Sequence, residues 1–423
     1  MFDNPLPFWT IVIGILCNVS CAILGCYLVL RRMSLIGDAI SHAVLPGLVI
    51  AFVISESRAS VPMFLGAMSV GVLTAFLTQT LHRFAGVSRD ASMGVVFTTL
   101  FALGVVLIRV IPGLDEVHLD PDCVFEGAIE YEAIDPVGPV LMLSGVLVAN
   151  LVFVVVLWKE LKLATFDPAL CSSLGFSSAL LYYLLMAMVA ATTVASFWAV
   201  GSILVIAMLI VPGATAHLLT DRFGLMVVIA TIVGVVSSIF GYFFASLFDA
   251  STAGMMAVVV GVQYALAALF APRYGVLPRW FRNARLSLHI ICDDIVAAVY
   301  RWSEGRGVEP MPRAELAEKV PASGWQYAIA LWFLGWRRHV EATSDGFMLS
   351  NSGKERAAQL VRSHRLWESY LAEHVGIQSD HLHEPALRME HFVTPEIDRE
   401  LVDGLANPEM DPHGKPIPKK RPS

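Results

Sequence analysis

The stretch RRMSLIGDAISHAVLPGLVIAF, residues 31–52, decides how this chain folds. Two arginines open it, and an apolar run of spanning length follows, interrupted by one carboxylate, Asp38, and one imidazole, His42. A transmembrane helix needs roughly 20 apolar residues to cross about 30 Å of hydrocarbon. An ionised side chain at that depth costs at least about 2.5–3.5 kcal/mol, so it needs a partner or a water-filled path. Positions i and i+4 share a helical face, which directs both side chains to one place. Asp oxygen with His nitrogen is a borderline ligand set, suited to Mn2+, Fe2+ or Zn2+ rather than to Mg2+ or Ca2+. One helix supplies two ligands; two copies about a two-fold axis would supply four, and symmetric pairing is the commonest assembly. The plainer reading is an Asp–His hydrogen bond that fixes helix packing. Intramembrane ionisable residues mark pathways by default, which favours the first reading. Pro46 and Gly47 follow and are expected to loosen the helix, which suits a gate.

Outward from this stretch the pattern repeats. Nine runs have spanning length or nearly so, at about 8–30, 36–54, 60–81, 91–112, 137–158, 176–198, 200–218, 223–247 and 252–271. In the seventh, Pro212 and Gly213 predict a break or kink. Only 15% of the 423 residues are charged, where a soluble protein has about a quarter. The deficit is uneven: residues 1–285 carry 13 Lys/Arg and 16 Asp/Glu, and the remaining 138 carry 16 and 20. The chain therefore reads as a membrane domain, 1–285, followed by a water-soluble domain, 286–423.

Basic residues set the orientation. Alternate connections collect Arg31, Arg32, Arg83, Arg89, Lys159, Lys162, Arg222, Arg273, Arg279, Arg282 and Arg285, against Arg58 and Arg109 on the other side. This bias predicts an N-terminus outside and a cytosolic C-terminal domain. The outer loop 113–136 holds eight carboxylates and His118 with no Lys or Arg. It is either a solvated acidic loop or a surface that attracts cations or docks a delivery protein. The six cysteines form no CxxC pair and predict no disulfide framework. The first apolar run lacks a basic n-region, so no cleavable signal peptide is expected.

Residues 159–176 face the cytosol in this topology. Within them Phe166-Asp167-Pro168 predicts a helix start, with Asp167 as N-cap and Pro168 in the first turn, and Gly175 as its stop. A short amphipathic helix parallel to the membrane is the expected product; an ordinary cytosolic loop is the alternative. No GxxxxGK[ST] phosphate cradle occurs, so ATP hydrolysis would have to come from a partner, and the chain is not expected to be an enzyme.

RRMSLIGDAISHAVLPG resembles the signature of the ABC-3 family of metal permeases, the manganese, zinc and iron importers. The resemblance continues through LKLATFDPALCSSLGF (161–176), VGSILVIAMLIVPGATA (200–216) and DASTAGMMAVVVGVQYALAALFAPR (249–273), covering about 1–285. It implies an import complex in a bacterial inner membrane, with two permeases, a second copy or a paralogue, two cytosolic ATPases and an extracytoplasmic metal-binding protein. It further implies that Asp38 and His42 line the metal path and that 159–176 is the coupling helix fitting a groove on the ATPase. The expected cargo is Mn2+, with Zn2+ or Fe2+ as alternatives, and no permanently bound cofactor is expected.

From about 286 the pattern changes to amphipathic helices of mixed charge. Helices are expected at 288–304, 312–320, 326–340 and 353–376, with SDGFMLSNSG suggesting a two-stranded wing around a Ser-Asp-Gly turn. This is a winged-helix order. The domain resembles the diphtheria-toxin-repressor family of iron- and manganese-dependent regulators through LSNSGKERAAQLVRSHRLWESYLAEHVG (349–376), LHEPALRMEHFVTPEIDREL (382–401) and PHGKPIP (412–418). The resemblance implies one metal position at His364, Glu368 and His383, and another at Asp294, Glu390 and His391. Leu387 and Pro385 stand where ligands of that family are found, which depletes the second position; Asp294 agrees with the manganese branch. Ordinary surface charges inherited with the domain are the alternative reading.

DNA binding is not expected. Phosphate recognition demands excess Lys/Arg, yet this domain nets −4 by the counts above. The segment at the recognition-helix position, SGWQYAIALWFLGWRRHV, offers three Trp and few polar groups for base edges. It reads as a helix that packs against something, such as the ATPase or a second copy. The expected fold is an all-α polytopic membrane protein plus a cytosolic winged-helix and helical metal-sensor-like domain. Its expected function is a manganese permease with a metal-sensing tail. The alternatives are a zinc or iron permease with a vestigial tail, or a membrane-tethered transcription regulator.

Overall fold

The computed structural model describes residues 6–33, 36–55, 60–111, 129–307, 309–320, 322–378, 381–405 and 408–419. The chain divides into two compact units, Met1–Pro278 and Arg279–Ser423. Most of the acidic loop, with His118 and Cys123, and the last four residues, 420–423, lie outside the described residues.

The first unit is helical throughout. Its elements are α1 (Leu6–Leu30), α2 (Ile36–Ala43), α3 (Leu45–Ser55), α4 (Ser60–Ala85), α5 (Arg89–Val110) and the single turn α6 (Ile129–Glu132). They continue with α7 (Val137–Val156), α8 (Trp158–Phe166), α9 (Pro168–Ser173), α10 (Ser178–Val200), α11 (Ser202–Leu219), α12 (Phe223–Phe248) and α13 (Thr252–Phe270). Among the described residues eight helices are long and apolar enough to cross a membrane, with Ile36–Ser55 taken as one, and Leu204–Leu219 is a shorter apolar helix. The seventh expected span lies in α11, Ser202–Leu219, 18 residues long.

The most buried spans are α1, α2–α3 and α10, while α7 exposes most of its surface, as a lipid-facing helix does. Small residues set the closest approaches. A Cβ on Gly25 would run into the carbonyl of Leu209, and one on Gly47 would run into the carbonyl of Gly66. Backbones can touch in this way only where no side chain intervenes.

Of the break or kink expected at Pro212, a break is not there. Helix α11 continues through Pro212, and the chain breaks at Gly201 instead, whose φ of 83° ends α10. Glycine tolerates that left-handed conformation. Pro212 costs one helical N–H, and Gly213 beside it lies against the backbone of Gly25 and Cys26. Gly213 thereby serves close packing against α1. The stretch 36–55, by contrast, does interrupt: a turn at Val44 separates α2 from α3, just ahead of Pro46. Pro46 has no N–H to give the carbonyl of His42 four residues earlier. One carboxylate at the end of the acidic loop has a structural task, since Glu130 accepts a hydrogen bond from the backbone of Thr252 at 3.1 Å.

The second unit is built on α14 (Val276–Arg306), α15 (Arg313–Lys319), α16 (Gly324–Trp336), β1 (Val340–Ala342) and β2 (Phe347–Leu349), followed by α17 (Asn351–Tyr370), α18 (His383–Met389) and α19 (Pro395–Gly404). Antiparallel β1 and β2 pair Val340 with Leu349 across a Thr-Ser-Asp-Gly turn. Ile295, Val296, Val299, Leu316, Leu334 and Phe347 form the winged-helix core. A second small core of Leu366, Leu401, Leu405 and Ile417 ties α17 to α19 and the C-terminal segment. Helix α14 begins twelve residues before the expected 288, because its apolar stripe starts late while the helix itself does not. Helix α16 ends at Trp336 rather than 340, where Arg338 turns left-handed with φ of 56°.

Candidate metal sites

Helix α2 is buried along its length except at Asp38 and His42. One turn apart, they bring His42 Nε2 to 3.4 Å from an Asp38 carboxylate oxygen, with side chains 31% and 39% exposed respectively. The two ligand-type groups therefore share one open face of an otherwise enclosed helix. Gly37 lets α2 lie against α11, because a Cβ there would meet the side chain of Leu209. Ser41 donates to the Asp38 carbonyl at 2.7 Å. The rings of Phe97 and Phe101 on α5 stand about 6 Å from the His42 ring, walling one side of the pair. The arrangement offers a dication one oxygen and one nitrogen, and leaves the rest of its coordination to other groups.

The capped segment expected at 166–175 forms helix α9. Asp167 caps it by accepting from Leu170 N at 2.9 Å, Pro168 occupies the first turn, and Gly175 with φ of 89° closes it. Cys171 is buried, whereas Phe166, Leu170, Leu174 and Phe176 are exposed. An apolar surface on a capped six-residue helix is thus presented outward. Arg31, one end of the signature stretch, reaches this region by donating to the hydroxyl of Thr165 at 3.1 Å.

In the tail, α17 carries His364 and Glu368 one turn apart, and both are buried. His364 Nε2 lies 3.0 Å from Glu368 Oε1 and 2.9 Å from His383 Nδ1, and His383 Nδ1 lies 3.1 Å from the same Glu368 oxygen. Asp294, Glu390 and His391 also converge, with His391 Nε2 at 3.3 Å from Asp294. Each triplet brings one ligand atom per residue within 4.8 Å of the others. The two positions are not separate. Glu390 Oε2 stands 2.6 Å from His364 Nδ1, so one imidazole faces Glu368 with one nitrogen and Glu390 with the other.

Electrostatics inside this cluster are strong. Burial opposes ionisation of Glu368, but hydrogen bonds donated by His364 and His383 prevail and hold its carboxyl well below the usual range. Burial also opposes the charge on His391, yet its bonds to Asp293 and Asp294 push it up to about 9. His364 is raised for the same reason, against its own desolvation, by Glu368 and Glu390. The donor set of imidazoles and carboxylates fits a divalent transition metal. So does the buried Glu390 Oε1, which among the described residues has no hydrogen-bond partner.

Sequence reasoning missed several members of this cluster. Arg301 reaches Glu390 at 3.2 Å, Arg356 pairs with Asp293, and His413 approaches Glu368 at 3.9 Å. The His289–Asp293 contact at 3.6 Å had the same i,i+4 signal as His364–Glu368. The arginines had none, since they come from remote parts of the chain.

Comparison with known proteins accounts for both halves. The ABC 3 transport family matches residues 4–271. The iron dependent repressor, metal binding and dimerisation domain matches residues 350–419. The manganese transport system membrane protein MntD of Bacillus subtilis is 46% identical over 287 residues, covering 66% of this chain and 96% of that protein. The zinc transport system membrane protein TroD of Treponema pallidum is 39% identical over 309 residues, covering 71% of this chain and 84% of that protein. The solved structure of PsaBC from Streptococcus pneumoniae in complex with Fab matches with a TM-score of 0.56 at 26% identity, over 66% of this chain and 95% of that one. The chain therefore belongs to the ABC 3 transport family, as a multi-pass membrane protein whose last third carries an iron-dependent-repressor metal-binding and dimerisation domain.

Proposed function

We propose that this chain is the permease subunit of an ATP-driven importer for a divalent transition metal, manganese first, in a bacterial inner membrane. The observation that carries the reading is the Asp38–His42 pair, two metal-ligand groups on the one open face of a buried, apolar helix. Two such helices facing each other, from a second copy or a paralogue, supply four ligands and a path between them. The orientation set by the basic residues puts the N-terminus outside, toward an extracytoplasmic metal-binding protein, and α9 and the tail in the cytosol. The apolar surface of α9 suits a groove on a cytosolic ATPase, which performs the hydrolysis this chain does not.

The tail senses the internal metal. His364, Glu368 and His383 would hold one ion, and Asp294, Glu390 and His391 a second, with Arg301 and Arg356 balancing the surplus carboxylates. Occupancy slows import when the ion is abundant. DNA binding has no support in the domain's charge or in α16. The 46% identity to a manganese system supports manganese, and the 39% identity to a zinc system supports the second reading, a zinc permease.

Uptake by the full chain with its ATPase in reconstituted vesicles tests both. Excess Mn2+ is expected to suppress uptake of tracer metal; Zn2+ competing where Mn2+ fails selects the second reading. Removal of residues 286–423 is expected to leave uptake intact and abolish inhibition by metal inside the vesicle, and unchanged inhibition would exclude a sensing tail.

A further inference from the structure

We propose that the outer face of α16 binds the headgroup boundary of an anionic lipid bilayer. Trp325, Ile329, Trp332 and Trp336 are exposed at 63%, 42%, 70% and 70%. Their spacing of four, three and four residues places them on one helical stripe. On the opposite side Ala330 and Leu334 are buried in the winged-helix core. The other exposed positions of the helix, Gly324, Ala328 and Gly335, add no polar group to the stripe. A soluble domain has no reason to leave three indoles in water, and large exposed apolar faces mark a partner surface.

Three observations identify the occupant as lipid. Indole combines an apolar body with an N–H donor, and Trp gathers at the membrane–water boundary for that reason. Charge complementarity is present as well: Arg337 and Arg338 follow the stripe directly and are exposed, and no Asp or Glu occurs from Lys319 to Val340. Basic groups beside an apolar face are attracted to anionic headgroups. The bilayer is also within reach by covalent connection. The last span ends at Phe270 and α14 starts at Val276, so the surface is held at high effective concentration. The first turns of α14 expose Val276, Trp280 and Phe281 beside Arg279, Arg282 and Arg285, the composition of an interfacial helix. The helix at the DNA-reading position of a winged-helix fold has thereby become a lipid-facing one.

The test places a benzophenone amino acid at position 332 of the full chain, in nanodiscs containing anionic lipid, with its ATPase present. Irradiation is expected to yield mainly lipid adducts. Arg337→Glu with Arg338→Glu is expected to lower them about tenfold, because each basic residue contributes to attraction by the anionic surface. A Trp332→Glu variant, read from the same probe at position 336, is expected to lose lipid adducts while the tail retains its metal content. Crosslinks to a second copy, to the ATPase or to added DNA in place of lipid would overturn the proposal, as would lipid adducts that survive the charge reversals and Trp332→Glu unchanged.

Discussion

Asp38–His42 and the tail cluster use the same ligand chemistry at opposite degrees of closure. In the membrane pair the two side chains stand one turn apart, 3.4 Å from each other and roughly a third exposed. In the tail, His364 and Glu368 are buried, and the imidazole has close partners at both nitrogens. On the proposed roles, a site that passes an ion must accept and release it, which an open, incomplete ligand set serves, whereas a site that reports concentration is served by a closed set with fixed partners. With the same ligand types in both places, closure is what would separate passage from retention.

Asp38→Asn is the most severe way to break this contrast. It removes the only carboxylate on α2 and is expected to cut metal uptake by more than about tenfold, since loss of even an outer partner of a metal ligand costs about 10–100-fold. Vesicle uptake, with membrane insertion and ATPase association verified, checks it. His364→Ala comes next. It removes the imidazole that Glu368 and Glu390 share while His383 and Arg301 remain to them, and a lost hydrogen bond to a charged group costs about 1.5–3 kcal/mol. Tail metal affinity and thermal stability should both drop, measurable by metal titration and calorimetry.

Asp167→Ala sharpens the comparison by leaving both metal sites alone. Loss of an N-cap costs about 1 kcal/mol, so α9 frays and metal-stimulated ATP hydrolysis falls a few-fold while metal binding stays constant. Unaltered hydrolysis would remove α9 from the coupling role. The smallest effect is one of pH. The His391 imidazole is raised to about 9 in the folded tail, above the ordinary value near 6.5. Its stabilising contribution is therefore complete below about 6.5 and lost as pH rises through 9. Without metal, the stability gap between the parent chain and His391→Ala should narrow from pH 6 to pH 9.5; a constant gap would show that His391 does not titrate in the fold.

What was legible in the sequence was local. The i,i+4 spacing that joins Asp38 to His42 and His364 to Glu368 is a property of one helix, and so is the cap formed by Asp167, Pro168 and Gly175. Contacts that close over long separations left no trace: Arg301 meets Glu390, and Arg356 meets Asp293, only after folding. Pro212 misled for the same reason. Its local preference is to break a helix, but α1 packs closely beside it and the helix runs on through Pro212. The start of α14 was invisible because periodicity reports a buried stripe, and the first turns of that helix bury none.

One site is proposed to pass the ion and the other to keep it. The direct measurement is to compare His42→Ala and His364→Ala side by side, recording uptake and tightly bound metal per chain. His42→Ala is expected to lose uptake and keep its bound metal, and His364→Ala to lose bound metal and keep uptake. Both variants losing both properties, or His42→Ala transporting at the parent rate, would contradict it.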